Sequence, residues 1–574
     1  MPVHNVEIAQ TLNKLADLLE IEGANAFRVR AYRNAARLVE SLARSVADMV
    51  AANEDLSELP GIGETLARKL KEIVETGHLA ALEQEEKQVP AALSDLMKIP
   101  GLGPRRVHEL FEKLKITDLA SLEHAVREGK LQALDGFGEK TETRIREHLN
   151  RKTQTINRML LVTAEQVVES LLKTLRGVKG VKRVVPAGSF RRRQETVGDV
   201  DILATCADSA EIMRQFVGYE DVAEVIAHGA TRSSVILRSG LHVDLRVVPE
   251  ECYGAALHYF TGAKAHNIAI RARALGYGLK INEYGVFHGE ARVGGATEPE
   301  VYAAVQLPYI EPELREDRGE IEAAEKGQLP KLVVLADIRG DLQSHSTATD
   351  GKGSIAEMAK AARNRGYEYL AITDHSKRMT MVHGLNATRL AQQIREIDRL
   401  NAKLSGFRIL KSIEVDILEN GELDLTDDIL KELDVVVGAV HSLFALSREK
   451  QTERIMRAMD NPCFHIFAHP SGRLIGERDA YEVDLEQLLH AAKERGCFME
   501  LNAHPMRLDL NDTYCRMARE LGVKIAISTD SHNPLSLDFM RLGVGQARRG
   551  WLEKGDVLNA RPWSALQKLL KRDG

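Results

Sequence analysis

The chain has 574 residues, of which 44% are hydrophobic and 28% charged, and its formal net charge is −6 at pH 7. That balance excludes a disordered polyelectrolyte and a general polyanion-coating protein, and no apolar run reaches membrane-spanning length. Five scattered cysteines (Cys206, Cys252, Cys463, Cys497 and Cys515), with no Cys-x-x-Cys pair, exclude a disulfide framework and a cysteine zinc knuckle. The start MPVHNVEIAQ lacks the charged and apolar regions of a signal peptide, so a cytoplasmic, monomeric chain away from membranes is expected. Its length leaves room for about three or four domains.

Residues 1 to about 150 read as helices, with apolar side chains at helical spacing in IAQTLNKLADLLEI. LPGIGETLARKL at 59, IPGLGPRRVHEL at 99 and LDGFGEKTETRI at 134 each place Gly-apolar-Gly before a helix. Gly61, Gly63, Gly101, Gly103, Gly136 and Gly138 would let backbone N–H groups approach a phosphate, and the helix N-terminus adds its dipole. One copy reads equally well as a tight turn between helices. Three copies favour the phosphate site.

From about 160 to 312, helices alternate with Val/Ile-rich strands. In GSFRRRQETVGDVDIL, Asp199 and Asp201 stand two residues apart on one strand face, a crowding that a cation must offset. Asp244, in LHVDLRVVP, adds a third carboxylate. Three such groups suit two Mg²⁺ or Mn²⁺ ions that bridge nucleotide phosphates and activate a hydroxyl. Gly188 and Ser189 would offer a close backbone and a hydroxyl to a triphosphate, and Arg192 would neutralise its charge. A solvated strand edge is the other reading, disfavoured by two aspartates on one face of an apolar strand.

The highly charged stretch at 311–333 reads as a connector, and beyond Asp337 apolar runs alternate with helices in a βα rhythm. Those runs end repeatedly in metal-ligand types: His345 and Asp350, His375, Glu414, His441, His469, then Asp530 and His532. In a parallel barrel all would converge at the C-terminal mouth. Any one of these histidines alone reads as a core or surface residue; their shared placement carries the metal reading.

Gly-Ser followed by Asp-x-Asp resembles the nucleotidyltransferase signature of the family X DNA polymerases, and HYFTGAKAHNIAIRARALGYGLKINEYGVF at 258 resembles their nucleotide-selecting segment. The resemblance implies that Tyr259, Phe260 and Gly262 form a turn against the incoming sugar, Asn267 contacts its base and Arg271 the template strand. Aromatic rings beside a glycine turn would crowd out a 2′-hydroxyl. His242 stands where relatives carry Arg, leaving the orientation of Asp244 open, and Ala263 replaces a polar residue.

The three Gly-apolar-Gly elements look like helix-hairpin-helix DNA grips. FRVRAYRNAARLVESL with the segment after it resembles the family's DNA-end-binding domain, which implies Arg28, Tyr32, Arg33 and Arg68 as contacts to a 5′-side phosphate. Lys69 falls at the Schiff-base lysine of lyase-active relatives. Thr65 and Phe27 stand where those relatives have Lys and His, so a plain surface lysine is favoured.

The last third resembles the PHP (polymerase and histidinol phosphatase) domain, a distorted (β/α)7 barrel that holds zinc or manganese. Its ligand set is matched at eight positions; at the remaining one Gln343 replaces a histidine, and an amide binds these ions more weakly. His504 and Arg507 are either substrate-phosphate contacts or plain rim residues.

The implied fold is multidomain α and α/β: a DNA-end-binding domain at 1–85, a helix-hairpin-helix subdomain at 86–155, a nucleotidyltransferase palm at 156–250, a thumb- or fingers-type subdomain at 251–312, a linker at 313–336 and the barrel at 337–574. The implied function is a gap-filling repair polymerase acting on gapped or nicked DNA and deoxynucleoside triphosphates. Its barrel would be a 3′–5′ exonuclease with AP endonuclease or 3′-phosphatase activity as a further option. A DNA-end-binding scaffold with weak centres, or a barrel that acts as a small-molecule phosphatase, are the alternatives.

Overall fold

The computed structural model describes residues 3, 5–42, 45–59, 61–97, 99, 102–134, 137, 142, 145 and 158–571. Contacts divide it into two compact units, Met1–Arg158 with Tyr219–Ala223 and Ile236–Leu241, and Met159–Gly218 with Glu224–Val235 and His242–Gly574. No helix among the described residues is long and apolar enough to cross a membrane.

In the first unit, helix Asn5–Ile21 buries Ile8, Leu12 and Leu15, and helix Ala26–Ser41 buries Ala35, Ala36 and Val39. Leu18 and Ile21 of the first helix also join a second core with Leu93, Leu96, Val107 and Leu110. The expected boundary at 85/86 is therefore not a break in packing, because one helix serves both cores.

The second unit opens with β1 (Met159–Leu160), helix Leu161–Arg176 and β2 (Val181–Pro186). β3 (Thr196–Val197) pairs with β1, and β4 (Asp199–Cys206), β5 (Val222–His228), β6 (Arg232–Leu237) and β7 (His242–Val247) complete a five-stranded sheet in the order β2-β4-β7-β6-β5. Helices Tyr253–Thr261 and Lys264–Gly276 lead into a small antiparallel sheet of β8 (Lys280–Asn282), β9 (Gly285–His288) and β10 (Ala291–Gly294).

The stretch expected to be a linker is a packed seam. Ile310, Leu314, Ala324 and Leu332 share one apolar cluster with Trp551. Some of its charged residues are buried against partners: Arg315, fully buried, donates to Glu298 at 2.6 Å, and Glu320 lies 2.6 Å from His266. Paired charges can be buried where lone ones cannot, so high charge does not here mean exposure.

The C-terminal barrel runs β11 (Gly340–Asp341), β12 (Tyr369–Ile372), β13 (Arg408–Asp416), β14 (Val435–Ala439), β15 (Ile466–Phe467), β16 (Phe498–Asn502) and β17 (Ile525–Ser528), all parallel and in sequence order. Alternate residues such as Val435, Val437 and Ala439 share the interior cluster, as strand periodicity requires. First and last strands are joined by the Asn559 side chain, which donates to Gly340 O at 2.7 Å and Ile527 O at 2.8 Å and accepts from Ile527 N at 3.0 Å. Asn559→Ala leaves those buried groups unpaired, at about 1–3 kcal/mol each. It should lower the thermal midpoint by at least about 6 °C in a circular-dichroism melt. An unchanged midpoint would show that the side chain does not close the barrel.

Candidate active sites and nucleic-acid interface

Parallel pairing of β4 with β7 sets Asp201 opposite Asp244 and Asp199 opposite His242. Val200 and Ile202 are buried on one face of β4, which holds the register, while Asp199 and Asp201 share the other face with the buried Leu203. Gly188 has φ +62°, and a Cβ there would lie 3.1 Å from Asp201 Oδ2. Left-handed backbone and close approach both call for glycine. Burial, then the charges of Asp199 and Asp244, push the Asp201 carboxyl up to about 6.

The orientation left open by His242 comes from β6. Arg232 donates to Asp244 Oδ2 at 3.0 Å and the Ser234 hydroxyl donates to Oδ1. Both Asp244 oxygens are thereby held by β6, and the three palm carboxylates do not form a group with donor atoms within 4.8 Å of one another.

Tyr259, Phe260 and Thr261 form the last turn of a helix rather than a free turn. The Phe260 carbonyl lies 4.0 Å from where a Gly188 Cβ would stand, so this helix end flanks the palm loop. Asn267 is 8% exposed and donates to the Tyr259 carbonyl at 2.6 Å, bracing the Gly262 bend, whereas Arg271 is exposed. Arg192 departs from expectation: it is buried, with Nε on Glu316 at 3.0 Å and Nη1 on the Thr261 carbonyl at 2.7 Å. Its guanidinium is taken up by the protein rather than held open for a triphosphate.

At the barrel mouth the expected ligands converge. Atoms of His345, Asp350, His375 and His532 lie within 4.8 Å of one another, as do those of His375, Glu414 and His441, so the two groups share His375. His469 Nε2 is 2.9 Å from Glu414 Oε1, and His345 Nε2 is 3.1 Å from Asp530 Oδ1, which attaches the remaining two ligands. Burial opposes charge on these histidines, yet Glu414 and Asp416 carry His441 up to about 10, and Asp350 with Asp530 carries His532 up to about 9. Gln343 is 1% exposed and neither of its side-chain polar atoms has a hydrogen-bond partner. A buried orphan amide two residues before His345 fits a cation site. His504 is half-buried and desolvation lowers its pKa to about 4, while Arg507 Nε stands 3.4 Å from Asp530.

Sequence reading missed the groups behind these ligands. Asp416 Oδ1 stands 3.4 Å from His441 Nδ1, and Asn502 Nδ2 reaches Asp530 Oδ2 at 3.1 Å. Glu500 accepts the His469 N–H at 2.7 Å, and Asp374 accepts from Ser346, Thr349 and Gln393. Such partners orient ligands and fix tautomers. The available signal was position: Asp416 lies two residues after Glu414 on one strand, and Asp374 precedes His375.

In the helical unit, Gly61 has φ +77°, and Gly63 and Gly103 cap helices Glu64–Thr76 and Pro104–Leu114. Ile62 and Leu102 between the glycines are buried, and a Cβ on Gly61, Gly63 or Gly103 would meet nothing within 4 Å. The repeat thus anchors its apolar residue and leaves its glycine backbone open. Gly101, Gly136 and Gly138 lie outside the described residues. Tyr32 is 6% exposed and Arg33 is bound to Asp17 at 2.8 Å and Glu20 at 2.6 Å, so neither is open to a phosphate as expected; core packing and ion pairing have claimed them. Arg68 is exposed, and Arg28 is exposed beside Glu85 at 3.5 Å. The Lys69 ammonium lies 5.7 Å from the Tyr32 ring centroid.

Five family models match in chain order: a helix-hairpin-helix domain at 3–79, a SAM-like helix-hairpin-helix tandem at 93–151, the DNA polymerase beta palm at 158–249 and thumb at 256–316, and a PHP domain at 341–504. The chain is 40% identical over 576 residues, all of both chains, to the DNA polymerase/3′-5′ exonuclease PolX of Bacillus subtilis (strain 168). It is 26% identical over 343 residues to DNA polymerase lambda of Rattus norvegicus, covering 54% of this chain and 56% of that one. Over 203 residues it is 32% identical to a probable phosphatase of Thermoanaerobacter sp. (strain X514), covering 33% of this chain and 78% of the relative. The order of modules and the full-length similarity together establish that the chain belongs to the family X DNA polymerases that carry a C-terminal PHP domain.

Proposed function

We propose that the chain fills short DNA gaps by template-directed addition of deoxynucleotides, and that its barrel trims DNA 3′ ends as a 3′–5′ exonuclease during repair. The observation that carries this reading is the presence of two distinct donor sets: carboxylates alone on β4 and β7, and imidazoles with carboxylates at the barrel mouth. Mg²⁺ or Mn²⁺ held by Asp199, Asp201 and Asp244, and Zn²⁺ or Mn²⁺ held by the mouth residues with Gln343 as a weaker donor, would supply charge neutralisation and an activated oxygen nucleophile.

The protein's own groups do the rest. Gly188 brings bare backbone beside Asp201, Ser189 adds a hydroxyl, and Arg232 with Ser234 keeps Asp244 oriented. Tyr259 and Phe260 form the wall that excludes a 2′-hydroxyl, with Asn267 fixing the bend behind them. Arg271 and the open glycines Gly61, Gly63 and Gly103 serve as contacts to the DNA backbone, which position without reading sequence. At the mouth, Arg507 beside Asp530 is placed to receive a scissile phosphate. Incision at abasic sites and removal of 3′-phosphates are hydrolyses open to the same groups. The similarity to a probable phosphatase supports a second reading, in which the barrel acts on small phosphomonoesters.

Asp201→Ala should reduce primer extension on gapped DNA by at least about a thousandfold and leave 3′-end hydrolysis intact. His375→Ala, which touches both mouth groups, should do the reverse. Loss of both activities in either variant would contradict two separate centres. Preference for p-nitrophenyl phosphate over a single-stranded 3′ end would favour the phosphatase reading. Gln343→His should raise the metal retained after dialysis, measured by plasma mass spectrometry, because imidazole binds these ions more tightly than an amide. Unchanged metal content would remove Gln343 from the ligand set.

A further inference from the structure

The loop after Gly188 carries three consecutive arginines, and each is engaged. Arg191 grips Glu298 at 2.9 and 2.6 Å, Arg192 is bound to Glu316, and Arg193 pairs with Glu165. The loop has little regular structure of its own. Between the four-residue turn Gly188–Arg191 and the two-residue β3, Arg193 holds φ +59°, a conformation that a non-glycine residue keeps only when its surroundings enforce it.

Much of that enforcement comes from the C-terminal barrel. Arg473 Nη1 and Nη2 clasp Glu195 at 3.2 and 2.6 Å. Arg549, 6% exposed, donates to the Arg192 carbonyl and to Glu316, both at 2.9 Å. Arg541 shares Glu165 with Arg193. The packing is close: a Cβ on Gly545 would stand 3.2 Å from Arg193 Nε. Arg473 and Arg549 therefore bond directly to the short segment between Gly188 and Asp199, Arg541 reaches it through the Glu165 that it shares with Arg193, and the bidentate Arg473–Glu195 pair is of the kind that fixes geometry as well as charge.

We propose that Arg473, Arg541 and Arg549 are positioning residues for nucleotide addition: the barrel shapes the polymerase loop that receives the triphosphate, a role separate from hydrolysis at its own mouth. The proposal rests on reading the palm as a nucleotidyltransferase. Arg473 also donates to the carbonyls of Arg507 at 2.8 Å and Leu508 at 2.6 Å, beside the mouth, so Arg541 and Arg549 are the cleaner probes.

The test is steady-state extension of single-nucleotide-gapped DNA by the full-length protein, comparing wild type with Arg541→Gln, Arg549→Gln and, from the palm side, Glu195→Gln. The KM for the deoxynucleotide should rise roughly three- to thirtyfold, with a smaller change in kcat. For the two barrel variants, the KM for DNA and the rate of 3′-end hydrolysis should stay within about twofold of wild type, and Arg541→Lys should recover part of the loss. Deoxynucleotide KM values unchanged in all three Gln variants would overturn the proposal. So would a parallel fall of extension and hydrolysis with a lowered melting temperature, which would make these arginines general supports. A wild-type protein that fails to extend at all would instead overturn the polymerase reading itself.

Discussion

Ionisable groups held close together by strand packing are the constraint on which both centres are built. On β4 and β7 the ladder register, not attraction, sets Asp201 opposite Asp244, and the raised Asp201 pKa reports its burial first and then the charges of Asp199 and Asp244. At the mouth Glu414 is fully buried and holds its charge only because His375, His441 and His469 surround it. Strands buried on their other positions cannot slip to relieve the crowding, since a one-residue shift would turn every apolar side chain outward. The same packing that stabilises each sheet therefore fixes where its donors stand.

Ion pairs extend the logic between the centres. The stretch around Arg315, Glu316 and Glu320 is rich in charge, yet it packs because its apolar residues join one cluster and these three charged residues each have a close partner. Such pairs add little net stability, but they fix one arrangement over its neighbours. That specificity matters most at the loop from Gly188 to Asp199, which we propose meets the nucleotide.

Much of the site was legible in the sequence because its chemistry lies on strands and at strand ends. Asp199 and Asp201 show by spacing alone, and the histidines after β11, β12, β14, β15 and β17 show by their common place after apolar runs. Less visible were relations that depend on residues distant in sequence. Nothing near Asp244 announces that Arg232 and Ser234 hold it, and nothing near Arg192 tells a phosphate ligand from a partner of Glu316. Tyr32 and Arg33 misled for the same reason, since a helix pattern does not say which polar residues find partners such as Asp17 and Glu20. The seam at 313–336 was misread because paired and solvated charges are identical in sequence.

The account rests on oxygen donors collecting divalent cations at two separate places in one chain. Anomalous diffraction from crystals of the wild-type protein with gapped DNA, a non-hydrolysable deoxynucleotide and manganese tests that most directly. The account predicts manganese peaks bounded by Asp199, Asp201 and Asp244 beside the nucleotide phosphates, together with peaks at the barrel mouth. Density for the nucleotide without manganese among those three aspartates would contradict it.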